Sequence, residues 1–235
     1  LVDRGGNHYF IEMNPRIQVE HTITEMCTGI DLVRSQILVA EGYELSDEMI
    51  GIKSQEDIKQ NGYAIQCRVT TEDPSNNFAP DTGKITSYFS PGGFGVRLDG
   101  ATSGVGSVIS PYYDSLLVKI TCWDNTFKNA CKKTLRAIQE IRISGVKTNI
   151  GFISNILTNP TFIEGKCHTK FIDETPELFN LDNGEDKSTK MLKYIATKTL
   201  AESGHHKRYD EIRMPELTGN KPDGLKQLLD SKGPK

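Results

Sequence analysis

The 235 residues carry 28 Lys and Arg against 31 Asp and Glu, a net charge of -3, with 36% hydrophobic and 25% charged positions. This balance excludes a disordered chain and gives no electrostatic footprint for nucleic acid or an acidic membrane surface. No apolar run approaches the roughly 18 residues of a membrane span, so we expect neither a nucleic-acid nor a membrane partner.

The first run, YFIEMNPRIQVEHTITEM over residues 9–26, alternates apolar and polar side chains. Residues two apart on a strand share a face. The alternation therefore predicts a strand over 9–14, with Met13, Ile17 and Val19 towards a core and Glu12, Asn14, Arg16, Gln18 and Glu20 opposite. GIDLVRSQILVAEGYEL predicts a helix with Ile30, Val33, Ile37 and Leu38 at helical spacing and Gly42 just past its end. A loop through SQEDIKQNG leads to an alternating strand, Tyr63 to Thr70, closed by Asp73-Pro74. GKITSYFSPGGFGVRLDG reads as a hairpin around Gly92-Gly93, and PYYDSLLVKITCWD as a further buried strand.

An amphipathic helix follows from about Thr126 to Ile141, its stripe formed by Phe127, Ala130, Cys131, Leu135 and Ile138. A second starts near Thr148 or Asn149, both good caps, and ends before Asn159-Pro160. Beyond Phe179 the chain turns polar. MLKYIATKTL is a short strand or helix, residues 202–224 compose a linker, and GLKQLLDSKGPK begins a new amphipathic helix. Five cysteines, odd in number and without a CxxC pair, argue against a disulfide framework or zinc ribbon and for a reducing compartment. No basic-then-apolar leader points to secretion, and a start at Leu1 rather than methionine, with a strand-like run within eight residues, leads us to expect a piece of a longer polypeptide.

The polar face of residues 9–20 has the makings of a site. Glu12 and Asn14 stand roughly 6.6 Å apart along a strand, close enough to converge on one hard cation such as Mg²⁺. Pro15 holds Asn14 extended. Arg16 offers a planar fork for a carboxylate-like anion, and Glu20 can accept a proton. A straight strand would put Glu20 about 26 Å from Glu12, so either the site is elongated or the chain bends after Arg16. A half-exposed strand with a polar face would show the same alternation. On residue type alone His21 reads as a structural histidine and Arg68 as a strand charge.

FIEMNPRIQVEHTITEMCTGIDLV resembles the signature of the biotin carboxylase component of biotin-dependent carboxylases, members of the ATP-grasp superfamily. CRVTTEDP, PGGFGVR and PYYDSLLVKI are similar to that family's later motifs, in the same order, over roughly residues 1–180. The resemblance implies an α+β fold. Residues 1–50 would be the C-terminal part of the ATP-grasp domain, and 51–180 the biotin carboxylase C-terminal domain of antiparallel sheet and helices. Residues 181–235 would be an extended connector leading towards a carboxyltransferase domain.

Mapped residue by residue, the resemblance makes Glu12 the metal ligand and sets Asn14 beside the nucleotide phosphates. Arg16, Gln18 and the backbone of Val19 become the bicarbonate set, Glu20 the general base, and Arg68, with Arg16, the biotin contact. Phe94 and Arg97 fall at a subunit interface, and Tyr113 and Asp114 near the biotin pocket. Gly92, Gly93 and Gly95 form no GxGxxG and read as a tight turn rather than a phosphate loop.

The run DKSTKMLKYIATKTL resembles the connector of the pyruvate carboxylase family, with Lys187 where that family usually has arginine. Lysine lacks arginine's bidentate fork, which puts activation by acetyl-CoA in doubt. The implied cofactors are ATP, Mg²⁺ or Mn²⁺, and biotin carried on a separate domain. The implied partners are bicarbonate, that carrier domain, further copies in a tetramer, and acetyl-CoA as effector. The implied location is the cytoplasm, or the mitochondrial matrix in a eukaryote. The 235 residues alone are expected to hydrolyse no ATP in response to bicarbonate. The alternatives are a carbamoyl phosphate synthetase, which would share E-x-N-x-R alone, the biotin carboxylase of an acetyl-CoA or propionyl-CoA carboxylase, and a non-catalytic oligomerisation fragment.

Overall fold

The computed structural model describes residues 1–100, 104–181 and 187–202. The chain divides into two units, Leu1–Asp182 and Asn183–Lys235.

The expected strand over 9–14 does not form. Only a single bridge joins Val2 and His8, and residues 9–18 are irregular apart from a bend at Arg16. Among the described residues no neighbouring strand takes up these backbone groups, and without a ladder an alternating pattern has no sheet to join. Met13, expected in a core, is 77% exposed, and Ile17 is also exposed.

Two short helices follow. α1 (His21–Thr28) ends on Gly29 in the left-handed conformation, whose N–H reaches the Glu25 carbonyl at 2.8 Å. α2 (Leu32–Ala40) begins at Asp31, whose carboxylate accepts the Arg34 N–H at 2.8 Å. The expected single helix from residue 29 is thus shorter, and α1 precedes it. Of the expected stripe only Leu38 is buried, while Val33 and Ile37 are exposed.

β1 (Tyr63–Thr70) forms where the alternation placed it. The short strands β2 (Glu72–Asp73) and β3 (Ala79–Pro80) pair with each other. Next come β4 (Gly83–Lys84), β5 (Ser87–Phe89), β6 (Val96–Gly100) and β7 (Val108–Ile109). The long β8 (Leu116–Asp124) leads into α3 (Phe127–Glu140), then β9 (Arg142–Ser144), α4 (Ile150–Thr158) and α5 (Pro160–Ile163).

The expected hairpin over 83–100 is corrected. β4 pairs with β7, β5 with β9 and β6 with β8, so the two arms serve different sheets. Residues 90–95 separate β5 from β6, and each strand takes its partner elsewhere, β5 from β9 and β6 from β8. Gly95, at φ +75°, approaches β8 so closely that a Cβ would lie 2.6 Å from the Trp123 carbonyl oxygen. In return the Trp123 N–H donates to the Gly95 carbonyl at 2.8 Å.

β8 is the centre of a three-stranded antiparallel sheet in the order β1-β8-β6. Its register sorts the side chains onto two faces. Ile65, Cys67 and Val69 of β1 align with Cys122, Ile120 and Val118 of β8 and form the core face. α3 packs on that face through Ala130, Cys131, Thr134, Ala137 and Ile138, and α4 packs beyond it. Val69, Val118, Ile120 and Ile138 are fully buried, and burial of each contributes about 1.5–3 kcal/mol. Thr126 caps α3, its hydroxyl accepting the Asn129 N–H at 3.3 Å. A smaller cluster of Phe152, Phe171 and Leu178 closes the far side of α4.

In the second unit, α6 (Lys187–Glu202) settles the strand-or-helix alternative as helix, so the expected extended connector is helical there. Met191, Leu192, Tyr194 and Ile195 are exposed on it. The linker and final helix expected beyond residue 202 lie outside the described residues.

Candidate active site

The other face of the sheet is polar. Gln66, Thr121 and Arg97 form one row across β1, β8 and β6, and Arg68, Lys119 and Asp99 form the next. α1, with Val19 just before it, lies against this face.

Contact begins at Val19, whose carbonyl accepts from Gln66 Nε2 at 3.0 Å and from Lys119 Nζ at 3.2 Å. Glu20 follows at the N-cap of α1 but makes no side-chain capping bond. Its carboxylate turns outward to Arg68 Nη2, 3.0 Å away, with both side chains about half exposed. Two residues on, Thr22 is fully buried. Its hydroxyl meets Thr121 Oγ1 at 2.8 Å and accepts from Gln66 Nε2 at 2.5 Å. The site-facing strands thus hold α1 by side-chain hydrogen bonds rather than apolar packing alone.

A second cluster sits further along α1. The Glu25 carboxylate, buried, accepts from Arg97 Nη1 at 2.5 Å and from the Leu32 N–H at 2.8 Å. Arg97 directs Nε and Nη2 as a fork onto Asp99 at 3.0 and 2.9 Å. Burial works against the Arg97 cation, but its hydrogen bonds to Asp99 and Glu25 outweigh that and raise its pKa above the usual arginine value. His21, Glu25, Asp31, Arg34, Arg97 and Asp99 line part of an open cleft of about 830 Å³ between this cluster and α2.

The remaining expected site residues are more scattered. The Arg16 N–H bonds to the Asn14 carbonyl at 2.8 Å and the His21 N–H to the Gln18 carbonyl at 3.2 Å, so the chain bends at both places. Of the two alternatives read from the sequence, the bend is realised. Glu12 and Asn14 are exposed, and no hydrogen bond or ion pair joins them to Glu20 or Arg68. Arg16 likewise stands apart, its guanidinium on the Ile17 carbonyl at 3.3 Å.

Tyr113 and Asp114 line a separate recess of about 290 Å³ with Val108, Ile109 and Leu116. The Asp114 carboxylate there accepts the Leu116 N–H at 3.0 Å. Phe94 is 85% exposed, its ring edge-on to Trp123 at 6.1 Å between centroids. Lys187 opens α6, and its side chain lies outside the described residues.

Gln66, Lys119 and the Thr22–Thr121 pair were not singled out from the sequence. The signal for Gln66 was present, since it lies two residues from Arg68 on the same strand face. Lys119 needs the β1-β8 register, which no local pattern supplies. Asn149, read from the sequence only as a helix cap, is also buried. Its amide nitrogen donates to the Arg68 carbonyl at 3.0 Å, and its oxygen accepts the Thr70 N–H at 3.0 Å.

Known proteins match this chain in sequence and fold. Residues 66–174 match the biotin carboxylase C-terminal domain, and residues 1–48 match the ATP-binding domain of the carbamoyl-phosphate synthase L chain. The second match is to an ATP-binding domain alone, whereas the first carries a biotin carboxylase character that the synthetase alternative lacks. The pyruvate carboxylase of Bacillus subtilis is 52% identical over 96% of this chain and 20% of its own length. That of Aspergillus terreus is 49% identical over the whole chain and 21% of its own. The chain therefore spans about one fifth of the length of these curated relatives.

Among solved structures, the complete pyruvate carboxylase of Rhizobium etli superposes with a TM-score of 0.74 at 50% identity, covering 85% of this chain and 20% of that one. The biotin carboxylase domain of Hydrogenobacter thermophilus 2-oxoglutarate carboxylase, solved with MgADP, ADP and bicarbonate, gives 0.72 at 46% identity over 76% of this chain and 38% of that one. Along its whole length the chain is thus similar, at about 50% identity, to a part of the pyruvate carboxylases, and residues 66–174 match the biotin carboxylase C-terminal domain.

Proposed function

We propose that this chain is the part of a pyruvate carboxylase that supplies the bicarbonate base and the biotin-facing arginine for ATP-dependent carboxylation of biotin. Domains outside it would pass the CO₂ to pyruvate to give oxaloacetate. The observation that carries this reading is the Glu20–Arg68 pair, 3.0 Å apart and open to solvent, directly after the Gln18–Val19 backbone. As domains, residues 1–50 close the ATP-grasp fold, 51–180 form the biotin carboxylase C-terminal domain, and 181–235 lead onward.

Chemically, Glu20 takes the proton of bicarbonate, and the resulting carbonate oxygen attacks the γ-phosphorus of ATP with ADP leaving. A positioned base contributes on the order of 10²–10⁴-fold. Arg16, Gln18 and the Val19 N–H hold the anion. Biotin, when bound, supplies a ureido nitrogen as nucleophile. Arg68 sets its guanidinium against the charge that develops on the ureido oxygen, and preorganised charge of that kind lowers the barrier because it needs no reorganisation during reaction. Tyr113 and Asp114 support the biotin side.

A hard cation fits the oxygen donors of Glu12 and Asn14, both exposed. Among the described residues no group of three or more His, Cys, Asp or Glu could hold one alone, so Mg²⁺ or Mn²⁺ would complete its shell with phosphate, water or groups outside this chain. Phe94 and Arg97 belong to a subunit contact within a tetramer, biotin arrives on its carrier domain, and acetyl-CoA is an effector whose action Lys187 weakens. Among the described residues no helix is long and apolar enough to cross a membrane, and the free cysteines suit the cytoplasm or mitochondrial matrix.

The test is oxaloacetate formation by the full-length parent from pyruvate, bicarbonate and MgATP. Product that disappears in Glu20→Gln and Arg68→Ala supports the assignment. Turnover with acetyl-CoA or propionyl-CoA but not pyruvate would move it to the acyl-CoA carboxylases, and full activity of Glu20→Gln would remove the base.

A further inference from the structure

Two donors from different strands converge on one backbone oxygen. Gln66 Nε2 of β1 lies 3.0 Å, and Lys119 Nζ of β8 lies 3.2 Å, from the carbonyl of Val19. A carbonyl oxygen has two lone pairs, so this one is filled from both sides. One hydrogen bond leaves a peptide free to tilt about it, whereas two from a rigid sheet fix the peptide plane. The plane fixed here is that of the Val19–Glu20 peptide.

Lys119 has carboxylates near it on the same face, but both are committed to other cations. Its cross-strand neighbours on the same face are Arg68 and Asp99. Asp99 is taken by the Arg97 fork, and Glu20 by Arg68. The ammonium instead makes a charge-assisted bond to backbone. Gln66 is tied in turn to Thr22 at 2.5 Å, and Thr22 to the buried Thr121 at 2.8 Å. The clamp is thus continuous with the seating of α1, and Glu20 lies between its two anchors, Val19 and Thr22.

We propose that Lys119 and Gln66 are positioning residues, which fix the Val19–Glu20 peptide and so aim the Glu20 carboxylate at the bicarbonate. This inference rests on the reading of Glu20 as the bicarbonate base. Neither residue touches the reacting atoms. Losing either loosens the base and the adjoining Val19 N–H, with the nucleotide site unaffected.

The experiment uses the full-length parent enzyme, with KM and kcat measured separately for bicarbonate and MgATP in Lys119→Met, Lys119→Arg, Gln66→Leu and Gln66→Glu. A small misplacement of a reacting group costs one to two orders of magnitude in rate. Lys119→Met is therefore expected to lower kcat/KM for bicarbonate by about tenfold or more, while the KM for MgATP stays within about twofold. Lys119→Arg, which keeps a cationic donor, recovers most of the loss. Gln66→Glu, which sets an acceptor against the carbonyl, fails in the same sense as Gln66→Leu.

Equal loss in both substrates, or no rescue by arginine together with a lowered thermal midpoint, would mean a structural role and overturn the proposal. Wild-type bicarbonate kinetics in Lys119→Met and Gln66→Leu, with Glu20→Gln inactive, would also overturn it and leave the base in place. An active Glu20→Gln would instead sink the reading beneath it. Should Lys119→Met fail to fold, the Gln66 pair carries the same test.

Discussion

The Arg68 guanidinium and the Glu20 carboxylate stand 3.0 Å apart although 48 residues separate them in the chain. Both are about half exposed, and an ion pair open to water contributes only about 0.2–1 kcal/mol to stability. Arg68→Ala should therefore lower the unfolding free energy from urea titration by less than about 1 kcal/mol while lowering carboxylation in the full-length parent by on the order of 10²-fold. Lysine should restore only part, lacking the planar fork. A loss of stability as large as the loss of activity would show that the pair is structural.

Asn149 acts on the same strand from behind. Its carboxamide pairs with the Arg68 carbonyl and the Thr70 N–H, where the β1-β8 register slips between Val69 and Thr70. Asn149→Ala leaves both backbone groups without this partner in a part-buried setting, at a cost of up to about 1–3 kcal/mol. Hydrogen exchange should find faster exchange confined to the end of β1. Unchanged protection of Val69 and Thr70 would mean that solvent replaces the amide without penalty.

The acid limb of stability has an assigned contributor. The Asp73 carboxylate accepts from Lys147 Nζ at 2.5 Å and from the Ser75 hydroxyl at 2.5 Å. These bonds, that to Lys147 foremost, hold its pKa below the usual carboxylate value of 3.8. A lowered folded pKa stabilises fully above the unfolded value, and that stabilisation is lost as pH falls through the folded one. Lys147 is raised above its usual 10.5, mainly by the same bond to Asp73, so its share persists below that pH and is lost as pH rises through the raised value. Asp73→Asn should flatten the fall in stability below about pH 4, read from thermal midpoints against pH. Parallel curves for variant and parent would count against it.

The thiols separate cleanly by access. Cys27, Cys67, Cys122 and Cys131 are buried and Cys167 is exposed. Burial, followed by the neighbouring thiols Cys122 and Cys131, pushes Cys67 up to about 12, far from the thiolate form that reacts. Brief maleimide treatment followed by peptide mass spectrometry should find label at Cys167, and at the other four only after denaturation. Rapid labelling of Cys67 in the native protein would contradict the core described above.

Sequence reading worked where a side-chain period and a local cap agreed. α3 has an apolar stripe and Thr126 at its start, and β1 has strict alternation. It failed where pairing decides. The run opening at residue 9 carries alternating polar positions from Glu12 on, yet residues 9–14 have no neighbouring strand among the described residues. The two arms around Gly92-Gly93 look like a hairpin but bind β9 and β8 instead. α1 was missed because HTITEMCT is short and rich in β-branched residues. Its support comes from Thr22 on the sheet, a contact across 99 residues. Glu20 and Arg68 were chosen by resemblance, and the fold brings them together. Gln66 and Lys119 act through a backbone oxygen, for which no residue pattern exists.

The bonds that assemble this polar face span 47 residues from Gln66 to Val19, 72 from Arg97 to Glu25 and 100 from Lys119 to Val19. Closing loops of such length costs chain entropy before any contact repays it, whereas α3 closes turn by turn. During refolding, pulsed hydrogen exchange should find α3 amides protected before those of Gln66 and Lys119, and the reverse order would refute this. A chain interrupted partway would then hold helices and a partial core, with Glu20 still untethered.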